Sequence, residues 1–206
     1  MFGRLKAAFY DRLMESGEQA GFRDTRRGLL AQARGRVLEV GAGTGLNVAL
    51  YPDEVVELVF VEPDEGMAGR LRRRVAESGR TATVVSATAE SLPFPDHSFD
   101  TVVATLVLCS VENVDRSLAE LRRVLKPGGR LLFAEHVRSD DPKLGRWQDR
   151  LDRPWWGLIS MGCHCNRRTL EAIKAAPLDV EQVDRGELPK APPIVRPLVT
   201  GRAVAR

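Results

Sequence analysis

A glycine-rich turn directly follows a short hydrophobic segment near position 40. The sequence reads Val37-Leu-Glu-Val-Gly-Ala-Gly-Thr-Gly-Leu-Asn47, and glycine occupies every second position from Gly41 to Gly45. Glycine has no Cβ and adopts left-handed backbone angles at little cost, so the main chain can pass close to a bound ligand. A strand followed by such a turn is typical of α/β folds that bind nucleotide-like ligands at the carboxyl edge of a parallel sheet. The turn therefore predicts an α/β fold and the position of its ligand, and leaves the ligand's identity open.

Strand-like and helix-like segments alternate along the chain after this turn. Asp64 is a residue type that favours the N-cap position, and it predicts the start of a helix that runs through Ser78. Strands that alternate with helices indicate right-handed βαβ units and a parallel sheet. The sequence predicts a Rossmann-like sheet of seven strands, five parallel and a C-terminal antiparallel pair, with helices on both faces. The predicted strands span residues 36–41, 57–62, 82–87, 99–105, 129–136, 179–185 and 199–205, and the predicted helices span 19–33, 46–51, 64–78, 115–125 and 168–176.

The chain has the length and composition of one folded domain. Its 206 residues are 43% hydrophobic and 29% charged, and the formal net charge is +3. The densest basic run, from Arg70 to Arg74, is typical of a solvated helix face, so binding to nucleic acid is not expected. The longest apolar run is well short of a membrane span, and three cysteines without paired spacing indicate reduced thiols. We expect a single domain over residues 1–206 in a cytoplasmic protein without a stable membrane span, and the oligomeric state stays open.

Two regions outside the alternating pattern are expected to cover the ligand site. Phe2, Leu5, Phe9 and Leu13 recur at helical spacing, which predicts an amphipathic first helix. Residues 1–33 are therefore expected to form a helical lid, with contact to a membrane surface as the alternative. Residues 138–167 are expected to form an insertion that selects the second substrate.

The glycine spacing and the next strand favour one class of ligand only modestly. A dinucleotide-binding turn has its third small residue where this chain has Leu46, whereas the third glycine here comes one position early. Glu62 ends the next predicted strand, where an acidic side chain accepts hydrogen bonds from ribose hydroxyls. Nicotinamide dinucleotide folds and S-adenosylmethionine folds both use such an acid, so a nicotinamide oxidoreductase remains an alternative at this point.

Three longer motifs resemble those of the class I S-adenosylmethionine-dependent methyltransferases. They are Val61-Glu-Pro-Asp-Glu-Gly-Met67, Ala87-Thr-Ala-Glu-Ser-Leu-Pro-Phe-Pro-Asp-His-Ser-Phe-Asp-Thr-Val-Val103 and Val124-Leu-Lys-Pro-Gly-Gly129. They follow the glycine turn in order and at the expected intervals, which makes a chance match very improbable. The resemblance implies the fold predicted above, S-adenosylmethionine as the cofactor, and methyl transfer as the reaction.

A narrower resemblance covers residues from about 34 to 205. The segments Thr105-Leu-Val-Leu-Cys-Ser-Val-Glu-Asn113, Glu135-His136, Gly162-Cys163 with Arg168, and Arg196-Pro-Leu-Val-Thr-Gly-Arg-Ala-Val204 are similar to the methyltransferase-like 7 group. Its animal members methylate alkyl thiols, which implies a small, lipophilic thiol as the acceptor. Those members carry a hydrophobic N-terminal membrane anchor that the first segment of this chain does not resemble, so membrane residence is not expected to carry over.

Other acceptors and a non-catalytic role stay open at this stage. Related folds carry out methylation of a phenol oxygen, a lipid amine nitrogen or a quinone carbon, because function depends on the site and not on the fold. A protein that binds S-adenosylmethionine without turnover is the alternative from a different class.

The resemblance also implies which residues contact the cofactor. The amides of the glycine turn face the carboxylate of the methionine part, and Glu62 holds the ribose. Thr88 stands where many relatives have aspartate, so a side-chain bond to the adenine amine is not expected from it. The implied cofactor-binding residues are Glu39, Gly41, Ala42, Gly43, Thr44, Gly45, Asn47, Glu62, Pro63, Met67, Thr88, Ala89, Glu90, Thr105 and Leu106.

Candidate residues for the acceptor side are fewer. His136 ends the fifth predicted strand, and a neutral imidazole there can take a proton from a thiol or amine, so it is the candidate catalytic residue; a hydrogen-bonded structural histidine is the alternative. Cys163-His164-Cys165 lacks the additional ligands of a metal site, and no metal is expected. The predicted substrate-contacting residues are Tyr10, Cys109, Trp147, Trp156 and Cys163.

Overall fold

One seven-stranded sheet runs through the part of the chain that the computed structural model describes, residues 2–152 and 162–206. Its spatial order is β3-β2-β1-β4-β5-β7-β6. Strands β1 to β5 are parallel, and β7 lies antiparallel between β5 and β6. The predicted sheet of five parallel strands and a C-terminal antiparallel pair is therefore confirmed. The strands are β1 (Gly35–Val40), β2 (Val55–Val61), β3 (Ala82–Val85), β4 (Phe99–Thr105), β5 (Leu125–His136), β6 (Leu178–Glu187) and β7 (Pro197–Ala205).

Six α-helices lie in the described part of the chain. They are α1 (Phe2–Gly17), α2 (Arg23–Leu30), α3 (Glu65–Ser78), α4 (Val114–Val124), α5 (Pro142–Leu151) and α6 (Thr169–Ala175). Asp64 caps α3 as predicted, because its carboxylate accepts hydrogen bonds from the amides of Gly66 and Met67 at 2.8 and 3.1 Å. No helix in these described ranges is long and apolar enough to cross a membrane.

Three features of the helical segments differ from the prediction. The helix expected at 46–51 is only a 3₁₀ turn, Val48–Leu50, because Pro52 holds Tyr51 in extended backbone and ends it. The helix expected at 19–33 is broken by a π-helical turn, Glu18–Phe22, in which Gly21 has φ +119°. Helix α5 was not predicted, although Asp141 followed by Pro142 is a standard start signal for a helix.

The apolar residues of the sheet divide between two cores, one on each face. On one face, Leu131 and Phe133 of β5 pack with α4 and α6. On the other face, Leu132 and Ala134 pack with residues of α2 and α3, including Leu30 and Leu71. Successive residues of a strand point to opposite faces, so this alternation buries the sheet on both sides. The burial leaves the carboxyl ends of β1, β4 and β5 side by side at one edge, where the glycine turn, Thr105 and His136 are found.

Gly201 provides a test of how tightly β5, β6 and β7 are packed. A Cβ at this position would lie 2.3 Å from the carbonyl oxygen of Gln182 and 2.6 Å from Cζ of Phe133. We expect Gly201→Ala to cost about 1–3 kcal/mol, the usual range for overpacking, and to lower the Tm by several degrees. Gly186→Ala on β6 is the matched control, because a Cβ there would meet no other part of the chain within 4 Å. Equal melting temperatures for the two variants by calorimetry would contradict this packing.

Candidate cofactor and acceptor site

The glycine turn after β1 has the left-handed backbone that its sequence predicted. Gly41, Gly43 and Gly45 have φ values of +60°, +57° and +85°. A Cβ on Gly41 would lie 2.1 Å from Cγ2 of Val107, and one on Gly45 would lie 2.7 Å from Cδ1 of Leu71. Gly41 is therefore required for contact with the loop after β4, and Gly45 for contact with α3. Gly43 faces the N-terminal helix, where its nearest neighbour is Cε1 of Tyr10.

A cleft lies between this turn and the N-terminal helices. Nine of the predicted site residues line it together, namely Tyr10, Glu39, Gly41, Ala42, Gly43, Thr44, Asn47, Thr105 and Leu106. The lining residues that were not predicted are Met14, Phe22, Arg26 and Leu46.

A buried polar network forms the floor of the cleft. The Glu39 carboxylate accepts hydrogen bonds from Asn47 Nδ2 at 2.8 Å and from the Tyr51 hydroxyl at 2.5 Å. The same Asn47 nitrogen lies 3.0 Å from Thr105 Oγ1, which links β1 to the end of β4. Arg26 donates to Asn47 Oδ1 and to the Glu18 carboxylate. The polar side chains of the cleft floor are thus held in place before a ligand arrives.

Arg26 is a charged residue of this network that the sequence did not reveal. It is buried, with an exposed fraction of 3%, and its guanidinium lies 5.2 Å from the centroid of the Phe22 ring. An arginine in a short polar helix such as α2 looks like a solvated residue in the sequence. The π-helical turn before α2 was not predicted by any residue pattern.

Burial of Glu39 changes its protonation. Desolvation raises the pKa of Glu39 from an ordinary value of 4.5 to about 7, although hydrogen bonds from Tyr51 and Asn47 and the charge of Arg26 oppose the increase. A buried carboxylate with a raised pKa in a cleft is frequent at functional sites. Glu39 is therefore poised to ionise near neutral pH when a cationic group approaches it.

Glu62 connects the end of β2 to the glycine turn. One carboxylate oxygen accepts a hydrogen bond from the Gly43 amide at 2.8 Å, and the other accepts one from the Asp64 amide at 2.9 Å. The neighbouring Pro63 is exposed and Met67 is buried. The carboxylate therefore has a fixed orientation at the edge of the sheet.

The residues predicted at the adenine edge differ in their surroundings. Thr88 is exposed, and Ala89 is buried. The Glu90 carboxylate accepts hydrogen bonds from the amides of Glu112 and Asn113 at 2.8 and 3.3 Å. Glu90 thus holds the chain that leads into α4, a contact that the sequence did not indicate.

The N-terminal helix is attached to the glycine turn by charged contacts of Asp11. Its carboxylate accepts a hydrogen bond from Thr44 Oγ1 at 2.5 Å and lies 2.7 Å from an Arg70 guanidinium nitrogen. Arg74 contacts the same carboxylate at 3.0 Å and donates to the Thr44 carbonyl at 2.8 Å. Two arginines of the basic run on α3 therefore bind α1 through Asp11. As a result, α1 lies over the glycine turn.

The loop after β4 is fixed by a single buried carboxylate. The amides of Val107, Leu108 and Cys109 donate to Glu135 at 3.1, 3.0 and 3.3 Å. Leu106 precedes them with φ +53°, a strained conformation for a residue other than glycine that is typical of functional sites. Glu135 thereby determines where Cys109 lies.

Cys109, His136 and Cys163 come together at this end of the sheet. Their ligand-type atoms all lie within 4.8 Å of one another, and His136 Nε2 is 2.5 Å from Cys163 Sγ. A hydrogen bond to Cys163 and burial raise the pKa of the Cys109 thiol well above its ordinary value. These three residues belong to three separate segments that carry the narrower resemblance, so those segments meet at one point.

The predicted tryptophan contacts are not found in the cleft. Trp147 on α5 has an exposed fraction of 58%, and the guanidinium of Arg150 lies 5.9 Å from the centroid of its ring. Trp156 lies outside the described residues. Of the predicted substrate residues, the structure therefore brings Tyr10 to the cleft and Cys109 and Cys163 to the cluster with His136.

Glu39 predicts a pH dependence of stability. Its pKa is higher in the native state than in the unfolded chain, so between about pH 4.5 and pH 7 the native state binds more protons. The free energy of unfolding should fall through this window by up to roughly 3 kcal/mol from this residue alone. Glu39→Gln should remove that part of the decrease in urea titrations at several pH values. Glu77→Gln on the exposed side of α3 is the control, and a Glu39→Gln profile parallel to it would contradict the shift.

Comparisons with known proteins agree with the geometry of this site. Residues 38–133 match the family model described as a methyltransferase domain. The chain is 36% identical over 172 residues to thiol S-methyltransferase TMT1A of Homo sapiens, and the match spans 82% of this chain and 70% of that protein. It is 32% identical over 197 residues to thiol S-methyltransferase TMT1B of Homo sapiens, which spans 94% of this chain and 80% of that protein.

A solved structure supports the same fold. A methyltransferase of Thermotoga maritima, described as S-adenosylmethionine-dependent and possibly a histamine N-methyltransferase, has a TM-score of 0.72 at 22% identity and covers 98% of this chain and 97% of its own. At that identity the likeness shows the fold, and the family follows from the relatives above. The chain belongs to the class I S-adenosylmethionine-dependent methyltransferases, in the methyltransferase-like 7 group with TMT1A and TMT1B.

Proposed function

We propose that this methyltransferase transfers the methyl group of S-adenosylmethionine to the sulfur of a small, lipophilic thiol. The observation that carries the proposal is the meeting of Cys109, His136 and Cys163 beside the cofactor cleft. Polarizable sulfur and imidazole groups suit a soft sulfur nucleophile. The two relatives described above are thiol S-methyltransferases by name, which supports the same acceptor class.

The cleft fits the zwitterionic end of the cofactor. Arg26 and Glu39 present one cationic and one anionic group to it, which match a carboxylate and an ammonium. Gly43 leaves room for the methionine part, since the nearest neighbour of a Cβ there would be Cε1 of Tyr10 at 4.0 Å. When bound, the cofactor supplies an electrophilic methyl group on a positively charged sulfur.

The remaining predicted contacts complete this proposal. Glu62 holds the ribose, with Pro63, Met67, Ala89 and Thr88 around the adenine. Glu90 contributes its backbone region, since its carboxylate already accepts bonds from the loop at 112–113. Thr105 and Leu106 lie beneath the methyl group. Residues 1–33 act as the lid, which agrees with the contacts of Asp11 to the glycine turn.

His136 is the proposed catalytic group on the acceptor side. A thiol must lose its proton to become a strong nucleophile. An imidazole can promote that loss by accepting the proton or by holding a metal ion that lowers the thiol pKa. Positioning of the sulfur in line with the methyl group contributes the rest of the acceleration.

Glu62 gives a direct test of the cofactor site. Glu62→Gln replaces one acceptor oxygen by an NH₂ group, so the side chain can no longer accept bonds from both the Gly43 and Asp64 amides. We expect the Kd for S-adenosylmethionine to rise about 10- to 100-fold by calorimetry, equivalent to one or two charged hydrogen bonds. Glu65→Gln, exposed in the first turn of α3, is the matched control. Equal affinities for the two variants would remove Glu62 from the cofactor site.

The acceptor class is tested with a panel of substrates. Purified protein and methyl-labelled S-adenosylmethionine are mixed with alkyl thiols, phenols, lipid amines and quinones of similar size. We expect label in the thioether product, with a kcat/KM that rises with the length of the alkyl chain, because each CH₂ group of a lipophilic acceptor that leaves water strengthens binding. Transfer only to oxygen, nitrogen or carbon would overturn the thiol assignment. Binding of S-adenosylmethionine with no transfer to any acceptor would favour a non-catalytic role.

A further inference from the structure

The cluster of Cys109, His136 and Cys163 contains the three side chains of a metal site with two thiols and one imidazole. All three ligand-type atoms lie within 4.8 Å of one another. In a tetrahedral zinc site, bond lengths of about 2.3 Å to sulfur and 2.0 Å to nitrogen separate the ligand atoms by about 3.5 Å. His136 Nε2 and Cys163 Sγ, now 2.5 Å apart, would have to separate by about 1 Å to admit the ion. A rotation of roughly 30° about the Cα–Cβ bond of Cys163 moves Sγ by that distance.

The backbone around the cluster is already fixed. The His164 amide donates to the Cys109 carbonyl at 2.8 Å, which joins the Cys163 segment to the loop after β4. Arg167 donates to the carbonyls of Leu108 and Val111 at 2.8 and 2.6 Å from the same side. His136 is held by pairing of β5 with β7. Ligands held in this way lose little entropy on metal binding, which is the condition for a tight site.

Neither ring nitrogen of His136 is open to an acceptor. Its Nε2 faces Cys163, and its Nδ1 is buried without a hydrogen-bond partner in the part of the chain that the structure describes. A base that accepts a proton from an acceptor would need a ring nitrogen open to that acceptor.

We propose that Cys109, His136 and Cys163 bind one Zn²⁺ ion, whose open fourth position takes the acceptor thiol as a thiolate. Two thiolates and one imidazole are soft and borderline donors that select zinc over magnesium or calcium. Three protein ligands correspond to a catalytic zinc site, which keeps one position open, and not to a closed structural site.

The position of the site relative to the cofactor cleft suits this role. Cys109 lies four residues after Thr105, which lines the cleft. Val107, two residues before Cys109, packs against Gly41, which also lines the cleft. A sulfur bound at the cluster therefore lies next to the same wall of the cleft as the methyl group.

The proposed step balances without any change of oxidation state. The acceptor R–SH binds zinc as R–S⁻, and its proton passes to solvent. The acceptor sulfur then forms a bond to the methyl carbon while the bond from that carbon to the donor sulfur breaks, and the electron pair stays on the donor sulfur. The neutral thioether R–S–CH₃ is a weak zinc ligand and dissociates. The catalytic use of the metal rests on the proposed thiol acceptor, whereas metal binding itself does not.

The test of metal binding uses Co²⁺ as the spectroscopic probe and needs no acceptor. The full-length protein, reduced and freed of metal with a chelator, is titrated with Co²⁺ and then with Zn²⁺. We expect one equivalent of cobalt, with a thiolate-to-cobalt charge-transfer band in the near ultraviolet that zinc abolishes. Cys109→Ser and Cys163→Ser should each weaken binding at least about 10- to 100-fold, the cost of losing even an outer-shell partner of a metal site. Cys165→Ser is the matched control and should bind as the wild type does, because Cys165 contacts the Gln148 carbonyl and not the cluster.

Several results would overturn the proposal. They are the absence of a charge-transfer band in the wild type, a band that survives in both cluster variants, or a disulfide between Cys109 and Cys163 that persists after treatment with a reductant. Retained affinity for S-adenosylmethionine in each variant shows that it has folded. The two proposals are refuted by different results. Metal binding without thiol methylation would refute the proposed acceptor alone. Equal thiol methylation with and without zinc would refute the catalytic role of the metal alone.

Discussion

The Glu135 carboxylate is the contact on which both halves of the site depend. It lies at the end of β5 and accepts hydrogen bonds from three consecutive amides, those of Val107, Leu108 and Cys109. Val107 in turn packs so closely on Gly41 that no side chain fits there. One buried carboxylate therefore fixes one wall of the cleft and the position of the Cys109 thiol at once. Removal of these bonds would leave three buried amides without partners, each at a cost of about 1–3 kcal/mol.

A second network ties the floor of the cleft to the same strand ends. Asn47 receives a bond from Arg26, and its amide nitrogen contacts Glu39 and Thr105. Because β1 and β4 are neighbours in the sheet, a side chain that bridges their ends fixes the distance between the glycine turn and the loop after β4. The cleft is thus assembled from polar groups whose orientations are determined by the sheet, which would reduce the reorganisation needed on binding of the proposed cofactor.

The sequence predicted the sheet well because its signals are local or periodic. The run of hydrophobic residues in β1, the glycines at alternate positions and the Asp64 cap each specify structure within a few residues. The same motifs supplied most of the predicted cofactor-binding residues, and nine of the predicted site residues line one cleft. Contacts between distant segments were harder to predict. Nothing near Arg26 indicates that it becomes buried beside Asn47, and nothing near Glu90 indicates that its carboxylate accepts bonds from the amides of residues 112 and 113.

The cysteine and histidine residues show most clearly that contacts between distant segments are hard to predict from the sequence. The spacing of Cys163, His164 and Cys165 did not predict a metal site, because further ligands are lacking beside them. The cluster for which a metal is proposed is formed instead by residues 109, 136 and 163. Two of these segments are joined by a backbone bond between His164 and Cys109, and the third is a strand end. The side chain of His164 instead lies 3.1 Å from Asp152, away from the cluster.

Three unfavourable features are concentrated at this edge of the sheet, and that concentration is itself evidence of function. Glu39 and Glu135 are buried carboxylates whose pKa values are raised by desolvation, and Leu106 has a left-handed backbone. Each of these costs free energy that a purely structural sheet edge would avoid by using apolar side chains or a glycine. The strained Leu106 donates its amide to the Ala134 carbonyl at 2.8 Å, and the chain then turns so that the next three amides reach Glu135. The strain at Leu106 and the buried charge at Glu135 therefore belong to one arrangement, which fixes the position of the Cys109 thiol relative to the cleft lined by Thr105 and Leu106.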